Sequence, residues 1–90
     1  MSNWNDKAKR ILKSELVRRG ISNNDLAKLL KEIGVQETKA GIDSKISRGS
    51  FSATFLLQCL TVIRCHKIEI GDYENQLLMV AEPNEPYKKN

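Results

Sequence analysis

Long apolar runs, histidine and cysteine are scarce in this 90-residue chain. A membrane-spanning helix needs roughly 18 to 20 consecutive apolar residues, and no segment approaches that length. The first residues, 1–6, lack the basic start and apolar stretch of a secretion signal. We therefore expect a cytoplasmic protein that has no membrane partner.

Patterns for catalysis and metal binding are missing as well. Cys59 and Cys65 lie six residues apart, which matches neither a disulfide framework nor a metal site, and His66 is the single histidine. There is no Gly-x-Ser-x-Gly motif and no glycine-rich phosphate loop. We interpret Cys59 as a small buried hydrophobic residue and Cys65 as incidental. We expect no enzymatic activity, cofactor, metal or small-molecule substrate.

Two amphipathic helices open the chain. Residues 4–19 repeat apolar side chains at helical spacing, and Gly20 ends this helix. A second helix is predicted from about Asn23 to Glu32, with Ser22 as its N-cap and Gly34 after its end. The predicted apolar stripe of the first helix is Trp4, Ala8, Ile11, Leu12 and Leu16, and we expect Trp4 to pack against the core.

The next two helices differ sharply in polarity. The segment Glu37 to Arg48 is the most polar, with Ile42 and Ile46 as its clear apolar pair one turn apart. In contrast, Ala53 to Arg64 carries too many apolar side chains for one exposed stripe, and Ser52 is placed to cap it. We expect this fourth helix to be the central one, with Phe51 stapled onto Leu56.

The end of the chain is less regular. Residues 67–70 alternate like a short strand, residues 76–81 fit a strand or a helix, and 71–72 form a turn between them. The pattern favours a small hairpin over a fifth helix. We expect one all-α domain over residues 1–81, followed by a flexible tail over 82–90 that contains both prolines.

The order of the helices suggests a function. A net charge of +4 fits a polyanionic partner but is weak evidence by itself. The turn between the second and third helices contains Gly34 and an apolar Val35, as in helix-turn-helix units that bind DNA. In those units the second helix of the pair enters the major groove. The candidate recognition helix is therefore Glu37 to Arg48, and the expected partner is double-stranded DNA.

Side chains on and beside this helix suit that role. Basic side chains can reach phosphates or guanine edges, an amide such as that of Gln36 can pair with adenine, and hydroxyls before the fourth helix can contact phosphates. Glu37 and Asp43 oppose this role, because carboxylates are repelled by phosphates. We expect Asp43 to pair with a neighbouring side chain. The basic residues of the first helix either form a solvated face or contact the DNA backbone. The predicted DNA contacts are Gln36, Thr38, Lys39, Ser44, Lys45, Arg48, Ser50 and Ser52.

The chain resembles a known class. Residues 21–30 (ISNNDLAKLL), the Gly34-Val35 pair and residues 42–49 (IDSKISRG) resemble the lambda-repressor-like (XRE-type) helix-turn-helix proteins over roughly 7–64. Residues 45–53 (KISRGSFSA) and 55–58 (FLLQ) resemble a small bacterial family of unknown function, the DUF6471 type. The spacing from Ala27 to Gly34, and from there to the next helix-ending glycine, is longer than the usual lambda-repressor-like pattern.

The resemblance implies a small transcriptional regulator of bacterial, phage or plasmid origin. One recognition helix contacts few base pairs, so we expect a homodimer, with the segment after Cys65 as its contact if that segment forms strands. The competing hypothesis is a protein-interaction module that keeps the helical fold without binding DNA. A third is a structural partner such as an antitoxin or an assembly factor.

Overall fold

A computed structural model describes residues 3–71, which form four α-helices. Within that range there is no strand, so the expectation of an all-α domain is confirmed. Each helix packs against two of the other three: α1 and α2 both contact α3 and α4. The helices are α1 (Asn3–Arg19), α2 (Asn23–Glu32), α3 (Lys39–Arg48) and α4 (Ala53–Val62).

The start of α2 is fixed by a capping box. The hydroxyl of Ser22 accepts a hydrogen bond from the backbone N–H of Asp25 at 3.0 Å, and the Asp25 carboxylate accepts one from the Ser22 N–H at 3.1 Å. This reciprocal pair satisfies two N–H groups that have no partner inside a helix. The Ser22 backbone bond is also the main reason that the pKa of Asp25 is lowered.

Hydroxyl caps also begin the other two short helices. Ser52 Oγ accepts from the N–H of Phe55 at 3.0 Å, as predicted. Thr38 Oγ1 accepts from the N–H of Gly41 at 3.0 Å, with the Thr38 backbone extended at ψ 161°. An N-cap residue lies outside the helical backbone conformation, so α3 begins at Lys39. The predicted start at Glu37 is two residues too early.

The core is built mainly from the predicted apolar positions. Leu12 and Leu16 of α1 meet Ile42 and Ile46 of α3, and Cys59 is fully buried, as expected. Cys65 is not incidental: it is 7% exposed and belongs to the same cluster. The buried cluster consists of Leu12, Leu16, Leu26, Leu30, Ile42, Ile46, Phe55, Cys59, Leu60, Ile63 and Cys65.

Two residues of α1 have exposures that their residue types do not suggest. Trp4 is 75% exposed, with Lys7 Nζ 5.7 Å from its ring centre, so its predicted core packing is wrong. Near this residue, α1 contacts Gly49 through the backbone of Asn5. Glu15 is 2% exposed, although charge alone predicts a surface position. Its charge is balanced by ion pairs with Arg18 and Arg19, whose side chains remain partly exposed.

The fourth helix is shorter and less central than predicted. It ends at Val62, two residues before Arg64, and like the other helices it packs against only two neighbours. Leu57 remains 63% exposed, so one side of α4 is open. Phe51, which was expected to pack on Leu56, contacts the first turn of α4 through the ring of Phe55. The two ring centres are 5.6 Å apart.

The chain after α4 is irregular, and the strand predicted over 67–70 is wrong. No neighbouring strand is present in residues 3–71 to pair with it. Ile68 packs against the core instead, whereas Ile70 is 55% exposed and lies in a turn. The predicted partner at 76–81 and the predicted tail at 82–90 lie outside the described residues.

Gly49 closes α3 in a position that excludes any other residue. Its φ of 70° is left-handed, and the backbone N–H bonds back to the carbonyls of Lys45 and Ile46. A Cβ built on Gly49 would lie 2.4 Å from the carbonyl oxygen of Asn5 in α1. The end of α3 therefore touches the backbone of α1 directly, which requires both the conformation and the missing side chain of glycine.

We predict that Gly49→Ala lowers the free energy of unfolding more than Gly20→Ala does. Gly20 has nearly the same φ, 67°, but open space around its Cβ position. Gly20→Ala should cost about 1–2 kcal/mol from backbone strain, and Gly49→Ala a further ~1–3 kcal/mol from overpacking. Urea unfolding of the two variants measures the difference. Equal losses would show that the contact with Asn5 is not tight.

Both thiols should be unreactive in the folded protein. Burial raises the pKa of Cys59 to about 12, and burial also raises the pKa of Cys65, with the Glu15 charge adding to the effect. Since the thiolate is the reactive form, a disulfide reagent at pH 8 should modify the native protein at least about 100-fold more slowly than glutathione. In guanidinium chloride both should react at once. Rapid loss of one thiol from the native protein would contradict this burial.

Candidate nucleic-acid interface

The inner side of α3 is anchored and its outer side is open. Ile42 is 0% exposed and Ile46 is 4% exposed, and both belong to the core cluster. At helical spacing the opposite side falls on residues 40, 44, 47 and 48. These four residues, Ala40, Ser44, Ser47 and Arg48, are all exposed. The outward face of α3 thus combines small or hydroxyl side chains with one guanidinium group.

Asp43 lies beside this face and joins α3 to α2. Its carboxylate accepts a hydrogen bond from Asn23 Nδ2 at 2.6 Å and another from Lys39 Nζ at 2.7 Å. The bond from Asn23, followed by the one from Lys39, lowers the pKa of Asp43. The expected local pairing of Asp43 is therefore present. It occupies Lys39, one of the predicted DNA contacts, in a pair that remains open to solvent.

Lys45 forms an ion pair within the chain, and 39% of its side chain remains exposed. Its Nζ donates to Glu37 Oε2 at 2.5 Å and lies 5.1 Å from the ring centre of Phe55. Glu37 has only 15% of its side chain exposed, so its charge needs this partner. Lys45 thus connects the loop before α3 to α4. The sequence pattern did not reveal this because the two partners come from separate segments.

The remaining predicted contacts divide into free and occupied groups. Gln36, Ser44, Arg48 and Ser50 are exposed. The Arg48 guanidinium has neither an ion pair nor a hydrogen bond to any residue of the described range. The hydroxyls of Thr38 and Ser52 accept hydrogen bonds as helix caps. A cap hydroxyl can still meet solvent or a ligand at its exposed side, but its main function here is structural.

The basic side of α1 borders the same region. Lys9 Nζ donates to the backbone oxygen of Ser47 at 3.2 Å, which places α1 directly beside the exposed face of α3. An open groove of about 300 Å³ lies between α1, the start of α2 and α3, and Lys9, Lys13, Asn23 and Ser47 are among its lining residues. Lys13 is exposed. The sequence left the role of these lysines open, suggested Ser47 only as one of the hydroxyls before the fourth helix, and gave no signal for Asn23.

Other kinds of site have no counterpart in the part of the chain that is described. Residues 3–71 contain no group of three His, Cys, Asp or Glu side chains arranged to hold a metal ion. No helix in that part is long and apolar enough to cross a membrane. The surface around α3 is the candidate site, because it combines an exposed helix face with neighbouring basic side chains.

Over residues 3–71 these features define an all-α domain of four helices, the third of which is exposed along one side. The chain belongs to the family described as a domain of unknown function (DUF6471), whose model matches residues 4–68. The match covers all four helices and the segment that packs after α4. Comparison with curated proteins and with solved structures gives no match.

The hydrogen bonds to Asp43 predict an ordered set of pKa changes. Because its pKa is lower in the folded chain, Asp43 stabilises the fold above the ordinary aspartate pKa, and this is lost as pH falls through the folded value. Asn23→Ala should raise the Asp43 pKa more than Lys39→Met does. Carboxyl ¹³C NMR titration measures both, with the Asp25 pKa as an unchanged control. A larger effect of Lys39→Met would contradict this order.

Proposed function

We propose that this protein binds double-stranded DNA as a lambda-repressor-like (XRE-type) helix-turn-helix domain, acting as a small transcriptional regulator of bacterial, phage or plasmid origin. The observation that carries the proposal is the outward face of α3. It is anchored behind by Ile42 and Ile46 and presents Ala40, Ser44 and Arg48 to solvent. Small side chains allow a helix to approach base edges closely, and arginine is the commonest specific contact to guanine.

The packing of α2 and α3 supports the helix-turn-helix interpretation. The two helices are in contact and are joined by residues 33–38, in which Gly34 has a φ of 83°. Val35 packs partly buried against the core, and its N–H donates to the Leu30 carbonyl at 3.0 Å. An apolar residue seated in the turn is what such units use to fix the two helices. The connection is six residues long, which accounts for the long spacing from Gly34 to the glycine that ends α3.

The contacts would divide into base recognition and backbone positioning. Arg48, Ser44 and Gln36 are exposed side chains suited to base edges in the major groove. Ser50, in the loop before α4, and Lys13, on the neighbouring side of α1, are suited to phosphates that flank the groove. Phosphate contacts set affinity and register, whereas base contacts set the sequence that is read.

The paired lysines would have secondary roles. Lys39 can exchange the Asp43 carboxylate for a phosphate, since both groups of that pair face solvent. Lys45 would act by holding α3 in place through Glu37 and Phe55. A domain of this size covers few base pairs, so we further propose that two copies bind together, with their recognition helices about 34–36 Å apart along the duplex.

Arg48→Glu tests the proposal against the matched control Arg64→Glu. Arg64 is also exposed but follows α4, which packs against α1 and α2. Binding to a labelled random 20-base-pair duplex, measured by fluorescence anisotropy between 50 and 200 mM salt, should weaken at least about 10-fold for Arg48→Glu. The slope of the logarithm of the binding constant against the logarithm of salt concentration should also become shallower by about one unit for this variant. Arg64→Glu should change affinity far less.

Equal losses in the two variants would mean that only net charge matters and that α3 does not contact DNA. Lys45 is a poor choice for charge reversal, because a carboxylate at that position would face Glu37 and disturb folding. Circular dichroism confirms that the variants remain folded. Absence of binding by the unmodified chain at 50 mM salt would reject the DNA-binding proposal.

A protein-interaction module is the second candidate. One observation favours it: two of the three cations predicted to meet DNA, Lys39 and Lys45, are paired with carboxylates of the same chain. Neutralised in this way, α3 has a lower positive potential than its sequence implies. Retention of fold with no affinity for duplex DNA at low salt would support this alternative.

A further inference from the structure

A second groove lies on the side of the molecule formed by α4 and the segment after it. It has a volume of about 350 Å³, and its lining includes Leu57, Leu60, Cys65 and Ile68. Leu57 is 63% exposed, and Ile70, two residues after the groove lining ends, is 55% exposed. A cavity with apolar walls and two large exposed side chains in one region is typical of a surface that packs against another apolar segment.

We propose that residues 77–81 of this same chain, outside the described residues, occupy this groove. Their sequence, LLMVA, is the one run of five apolar residues after residue 71. Burial of such side chains against Leu57 and Ile68 removes apolar surface from water on both partners. The proposal concerns α4 and is independent of whether α3 binds DNA.

The length of the chain makes this contact accessible. The segment that lines the groove, 65–68, runs on to Gly71, and only residues 72–76 separate Gly71 from Leu77. Five extended residues span up to about 16–18 Å, compared with about 15 Å for a ten-residue helix such as α4. The apolar run therefore reaches the groove without requiring any movement of the helices.

The charges on the two sides are complementary. Lys67 lines the groove and Arg64 precedes it, whereas Glu69 is the acidic side chain on this stretch. Residues 72–86 carry four carboxylates and no lysine or arginine. An apolar run flanked by acidic residues fits a groove with apolar walls and basic neighbours. All the groove residues lie within the part matched by the family model, 4–68, and the proposed occupant lies beyond it.

A double-mutant cycle in the full chain tests the contact. With the groove filled, Leu57→Ser should lower Tm by about 4–8 °C, the shift that corresponds to about 1 kcal/mol in a domain of this size. The double variant Leu77→Ser/Leu78→Ser should lower it similarly, and the two effects together should be less than additive. Val17→Ser is the matched control, because Val17 is also a helix residue with 57% exposure but lies on α1. The Tm decrease caused by Val17→Ser should add fully to that of Leu77→Ser/Leu78→Ser.

Amide hydrogen exchange and solution mass provide the deciding readouts. Amides of residues 77–81 should exchange at least about 10-fold more slowly than in an unstructured peptide, and Leu57→Ser should remove this protection. The proposal is overturned if the Tm effects of Leu57→Ser and Leu77→Ser/Leu78→Ser add fully, or if the amides of residues 77–81 are unprotected. A dimeric mass by light scattering that becomes monomeric in Leu77→Ser/Leu78→Ser would also overturn it, because the segment would then bind a second copy.

Discussion

The contact between Gly49 and the backbone of Asn5 sets the geometry on which the candidate interface depends. It brings the last turn of α3 against the first turns of α1, with no side chain between the two backbones. The bond from Lys9 Nζ to the Ser47 carbonyl strengthens the same junction. Because α3 is fixed at this end, its other faces are determined: Ile42 and Ile46 point into the core, and Ser44 and Arg48 point out.

Local ion pairs then decide which charges of α3 are available. Asp43 binds Asn23 and Lys39, and Glu37 binds Lys45. The two acidic residues expected to oppose DNA binding therefore position the helix. These pairs connect α3 to the start of α2 and, through Phe55, to α4. The same interactions that stabilise the orientation of α3 reduce its free positive charge and leave Arg48 as its exposed unpaired cation among the described residues.

Much of the helical architecture follows from short-range patterns. Ser22 and Ser52 cap helices where predicted, and Ile42 and Ile46 bury the inner side of α3 as their spacing indicates. Local patterns do not predict contacts between segments, such as the ion pair of Lys45 with the loop before α3 or the burial of Cys65 against the core. Hydropathy also does not describe the ion pairs that accompany the burial of Glu15. The strand over 67–70 failed because alternation alone supplies no neighbouring strand.

The sequence by itself determined that residues 3–71 form four helices around one apolar core, because caps, glycines and apolar spacing act within a few residues. Family membership over residues 4–68 is likewise a property of the sequence. Only the tertiary structure decided which polar side chains face solvent and which form ion pairs or hydrogen bonds within the chain. That outcome depends on the close approach of α1 to α3 at Gly49, a distance between helices that no local pattern encodes.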